Sequence, residues 1–161
     1  MQKTLVTLAM ILFAFAGRVT FGQDNKQIVL DAAKAIELGT ATQEANQKKQ
    51  AALKWLIETD QVSLIVCGQV FELFGDKKNK NSSTMTMAYT IGMGAFKVSY
   101  PDRAKDENAA QLAGLTLALK AYELAVAETP KTKFDKVDAL LKTRDAGGLP
   151  ALVTGFDCGK K

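Results

Sequence analysis

The chain of 161 residues contains no histidine, and this absence removes more chemistry than any other feature of its composition. Without imidazole there is no Ser-His or Cys-His nucleophile, no commonest metal ligand and no commonest general base. Serine is scarce as well. Ser63 stands in an apolar stretch, Ser82 and Ser83 in a polar loop, and Ser99 just before Tyr100-Pro101. None has the glycine elbow of a hydrolase serine, and the Gly92-Met93-Gly94 pair lacks the further glycine or lysine of a phosphate-binding loop.

An apolar run long enough to span a bilayer is also missing. Leu5 to Ala16 is uncharged and apolar except for Thr7, but it falls short of the roughly 20 residues a membrane helix needs, and Arg18 puts a charge just beyond its end. Preceded by Lys3, it has the layout of a secretory signal. Ala14-Phe15-Ala16 fits the small-x-small cleavage rule and Thr20-Phe21-Gly22 fits it less well, so residues 1–22 are expected to be a cleaved leader and 23–161 one domain. Neither candidate cut precedes a cysteine, so lipid attachment is not implied. Cleavage removes Lys3 and Arg18 and leaves 19 basic against 17 acidic residues. That balance is an ordinary solvated surface, without the footprint of a nucleic-acid binder. The expected location is periplasmic or secreted, with no stable membrane anchor after cleavage.

Cysteine is sparse too: Cys67 and Cys158 are the only two. An even count in an oxidising compartment reads as a pair, and their pairing would close a loop worth on the order of 4 kcal/mol in chain entropy. The alternative is a buried thiol at Cys67 and a loose one near the C-terminus.

What the chain does have is helical periodicity. Ile28, Ala32, Ala35 and Ile36 recur at three to four residues and Gly39 supplies a stop; Thr42 to Glu58 begins polar and turns apolar at Ala52, Leu53, Trp55, Leu56 and Ile57. Val62 to Phe74 is apolar in nearly every direction, which predicts a central buried helix, with a strand as competitor because of Val62, Ile65, Val66 and Val70. Met85, Ala88, Ile91, Gly92 and Ala95 predict a further helix in which the glycines allow close backbone approach. Pro101 and Asp102 fit a first helical turn before the long amphipathic helix of Leu112, Leu115, Leu119, Tyr122 and Val126, with Glu107, Gln111, Lys120 and Glu123 outside its stripe. A shorter helix is expected over 132–142, carrying Phe134, Val137, Leu140 and Leu141, followed by a tail over 149–161 pinned at Cys158. The sum is an all-α class: a compact array or bundle of about five to six helices.

Ala118, Tyr122, Ala125 and Pro130 succeed one another at spacings of four, three and five. The segment 118–130 thereby resembles the second helix of a tetratricopeptide repeat, in which a small residue, an aromatic, a small residue and a closing proline take these places. Asp102, Lys105 and Asp106 stand where the first helix of such a repeat carries a large residue and a glycine, and Ile91-Gly92 could supply that pair only across an enlarged loop. The resemblance implies a degenerate helical-hairpin repeat and a non-enzymatic scaffold that grips peptides or proteins in a helical groove.

Carboxylates are the remaining acid-base resource. Asp102, Asp106 and Glu107 cluster ahead of the long helix, where they complement its dipole; metal binding is the thinner alternative. Met85, Met87 and Met93 read as core filling and Lys77, Lys78 and Lys80 as a solvated loop. Trp55, Tyr89 and Tyr100 are the candidate partner contacts, while Tyr122 belongs to the apolar stripe. The expected function is a binding module for a protein or peptide, without catalytic, metal or cofactor residues. The competing reading is a histidine-free enzyme or small-ligand carrier using Asp and Glu in a cavity.

Overall fold

A computed structural model describes residues 21–156 and Cys158, with side chains from Asn25 onward. The expected leader lies outside the described residues except for Phe21 and Gly22, which begin the first helix. Seven α-helices occur among the described residues: α1 (Phe21–Glu37), α2 (Gln43–Glu58), α3 (Gly68–Glu72), α4 (Ser82–Ser99), α5 (Glu107–Glu128), α6 (Asp135–Asp145) and α7 (Leu149–Phe156). Single 3-10 turns at Pro101–Arg103 and Pro130–Thr132 lead into α5 and α6. No strand is present among these residues. The class is all-α.

The antiparallel pair α4 and α5 forms the centre, with α1 across both, α2 against α1 and α4, and α6 and α7 on α5. Glycine makes the central pair possible. A Cβ on Gly92 would lie 2.9 Å from the Ala113 carbonyl oxygen and the Gly114 Cα, and one on Gly114 would lie 2.7 Å from the Tyr89 carbonyl oxygen. The two backbones are therefore nearly in contact, and Tyr89, Met85, Ile91, Met93, Leu115 and Leu119 fill the layer around them. Local chemistry sets the helix ends. Gly39 at φ 67° closes α1 in the left-handed conformation that only glycine takes freely. Thr42 caps α2 by accepting from the Ala45 amide.

Four expectations require correction. Val62 to Phe74 is not one buried helix: residues 63–67 run without helix or bend, and only Gly68–Glu72 coils. Extended geometry suits Ile65 and Val66, which stay outside, while Val62 in the preceding bend, Cys67, Val70 of α3 and Phe74 just beyond it are buried. Pro101 and Asp102 form a separate 3-10 turn, because Asp106 caps α5 by accepting from the Ala109 amide at 3.0 Å and so fixes its start at Glu107. Gln111 is not outside the stripe but wholly buried, since α5 is enclosed by neighbours on more than one face. The tail over 149–161 begins with a helix, α7, that buries Leu149 and Val153.

Cys67 and Cys158 form a disulfide, with Cα atoms 5.4 Å apart, that ties the residue capping α3 to the chain just beyond α7. Such a bond belongs to an oxidising compartment. No helix among the described residues is long and apolar enough to cross a membrane.

Candidate functional site

The segment between α2 and α3 is where the structure departs most from an ordinary helical array. A stretch of non-helical backbone laid on a bundle must find partners for its amides and carbonyls. Here side chains from the central pair supply them. Lys97 of α4, whose side chain is 3% exposed, donates to the Ser63 carbonyl at 2.7 Å and to Glu107 Oε1 at 2.6 Å. Gln111 of α5 donates through Nε2 to the Ile65 carbonyl. Tyr89 of α4 donates its hydroxyl to Gln111 Oε1 and so braces that side chain. Burial raises the Tyr89 pKa to about 12, so the phenol stays protonated and keeps its donor role at any physiological pH.

Lys97 and Gln111 thus hold the carbonyls of Ser63 and Ile65, two residues apart, while the side chains of both residues stay exposed. Val62, Ser63, Leu64 and Val66 border a groove of about 900 Å³ walled by α2 and α4, to which Leu53, Ile57, Thr86 and Met87 also contribute. Ile57 is 71% exposed and Val66 55%, so the groove has an apolar lip open to solvent. Its α4 wall carries the threonines of the Thr84-Met85-Thr86-Met87 stretch. Thr86 and Thr90 spend their hydroxyls on the Ser82 and Thr86 carbonyls of their own helix.

A second concavity, of about 520 Å³, lies between α1, α4 and α5 over a floor of Ala33, Gly92, Ala95 and Ala113. Tyr100, 53% exposed and packed on Phe96 at 5.2 Å between ring centres, stands at its rim. The three aromatics expected as partner contacts are thus dispersed. Tyr100 borders this second concavity, Trp55 is half-buried against the core, and Tyr89 is wholly inside as an anchor of the extended segment and offers no surface to a partner. Tyr122 is also buried, where its hydroxyl accepts from the Phe134 amide at 2.7 Å and donates to Asp138 at 2.7 Å.

The carboxylates ahead of α5 do not converge. Asp102 is exposed in the 3-10 turn, Asp106 accepts from Arg103 and from the Ala109 amide, which hold its carboxyl below the usual carboxylate range, and Glu107 pairs with Lys97. No group of three metal-type ligands occurs among the described residues. The groove residues Ile57, Leu64 and Val66 and the anchors Lys97 and Gln111 carry no sequence motif. The one legible signal was the β-branched run Val62, Ile65, Val66, which argued for extended chain.

No protein-family model matches the chain, and neither a curated protein nor a solved structure matches it.

Proposed function

We propose that this chain is an exported, non-catalytic interaction module that receives a protein or peptide in the groove between α2, residues 62–66 and α4. One observation carries the reading: the concavity of about 900 Å³ beside residues 62–66 is open, has an apolar lip at Ile57 and Val66, and gathers no carboxylates. A carrier or histidine-free enzyme calls for the opposite, an enclosed cavity with converging acids. The leader-like N-terminus and the disulfide support a periplasmic or secreted setting, and the resemblance of 118–130 to a tetratricopeptide helix points to the same class of function. The test is capture of partners by the mature chain from the extracytoplasmic fraction of its own cell, beside an Ile57→Lys variant. Ile57 is exposed, so the variant folds normally and changes only the lip. The expected result is a protein retained by the parent and depleted about tenfold on the variant, the weight of one well-buried apolar contact. Identical retention on both, or a co-purifying small molecule in place of a protein, overturns the proposal.

A further inference from the structure

In an extended chain the N–H and C=O of one residue lie along one edge and those of the next residue along the other. Between α2 and α3 the inner edge is filled by side chains: Lys97 on the Ser63 carbonyl and Gln111, itself held by the Tyr89 hydroxyl, on the Ile65 carbonyl. By the same alternation the amides and carbonyls of Leu64 and Val66 take the outer edge, and none of them has a hydrogen-bond partner among the described residues. An ordinary loop also leaves backbone groups to water. This one differs in that alternate residues are clamped by buried side chains and its end is fixed by the Cys67–Cys158 bond, so the free groups stand in the order a pairing strand requires.

We infer that the groove takes its occupant by edge pairing: an extended peptide segment that exchanges backbone hydrogen bonds with Leu64 and Val66 and lays alternate apolar side chains between Ile57 and Met87. This deepens the proposed docking role of the groove and rests on it. The unpaired groups specify the occupant. A helix has no free amides along its length and cannot satisfy Leu64 and Val66, whereas an extended chain offers donors and acceptors at the same two-residue repeat. Clamping the edge beforehand removes the ordering cost that a mobile loop would add on binding. A row of free extended-backbone groups beside apolar surface is also the arrangement that proteins otherwise cover or charge to avoid unwanted pairing, and Val66 stands 55% exposed.

The experiment selects random heptapeptides on the intact, disulfide-bonded chain and resynthesises the winners with single N-methyl groups at successive positions. N-methylation is expected to weaken binding about tenfold at alternate positions and to leave the intervening ones unaffected, since only every second amide faces the edge. Val66→Pro, which removes one edge amide that has no intramolecular partner, is expected to give a similar loss with an unchanged melting temperature. The peptide series uses the parent chain and so decides the matter even if that variant misfolds. Selection of no peptide, tolerance of N-methylation throughout, or a concentration-dependent dimer abolished by Val66→Pro would each overturn the inference, the last because the edge would then serve a second copy of this chain. Loss of the cellular partner on Ile57→Lys together with N-methyl tolerance would leave the groove standing as a docking site and remove only the pairing mode.

Discussion

Gly92 and Gly114 face one another where α4 and α5 cross, and each lacks room for a single added carbon. The neighbours of Gly114 include the Tyr89 backbone, which cannot swing aside as a side-chain tip would. Gly114→Ala is therefore expected to force the central helices apart and to cost about 1–3 kcal/mol, the usual penalty for overpacking a dense core. Gly155 is the control. It lies on the exposed side of α7, where a Cβ would meet nothing within 4 Å, so Gly155→Ala is expected to stabilise by about 0.5 kcal/mol through helix propensity. Urea denaturation of the two variants checks both signs, and a neutral Gly114→Ala would refute the tight crossing. The sequence had marked Gly92 and Gly94 alike as positions of close backbone approach, because a glycine inside a helical pattern has to offset its propensity cost by packing. It gave no sign that Gly114 was the opposing member. Gly92 does meet the α5 backbone, whereas Gly94 meets the Leu56 side chain.

Arg144 joins α6 to α5 by a two-pronged pair with Glu123, at 2.7 and 2.8 Å, and also reaches Asp145. The guanidinium holds the Glu123 carboxyl below its ordinary range. A carboxyl depressed in the folded state adds stability that is present above its unfolded pKa and is lost as the pH falls through the lower folded value. The pair is about one-third open to water, so screening keeps its contribution under about 1 kcal/mol. Glu123→Gln is expected to be less stable than the parent at pH 6 and to approach it near pH 3, as urea midpoints across that range would show. An offset that persists unchanged at pH 3 would assign the link to packing instead. The periodicity read this element correctly as a helix on an apolar stripe. Its start moved from Thr132 to Asp135 because Pro130–Thr132 forms a separate turn and the Tyr122 hydroxyl holds the Phe134 amide, a contact across 12 residues that no local pattern contains.

At the scale of the whole molecule the disulfide links positions 91 residues apart and fastens α7 beside α3. Replacing both cysteines by serine is expected to lower stability by about 2–5 kcal/mol, and hydrogen exchange should then show α7 opening before the central pair. Equal protection of α7 with and without the bond would contradict this. Composition and the three-to-four-residue repeat of apolar side chains were sufficient for the all-α class, the helices α1, α2, α4, α5 and α6, and the core placement of Met85, Met93 and Tyr122, because a helix is specified by hydrogen bonds within itself and by one apolar face. They were insufficient for Val62 to Cys67, for α7, and for the burial of Tyr89, Lys97 and Gln111. Apolar residues on every side fit a buried helix and an extended chain equally well, and the choice between them lay with two polar side chains, Lys97 and Gln111, 34 and 46 residues away, that supply hydrogen bonds an extended backbone cannot make alone. The groove exists because of that choice, so its position was decided by the tertiary structure.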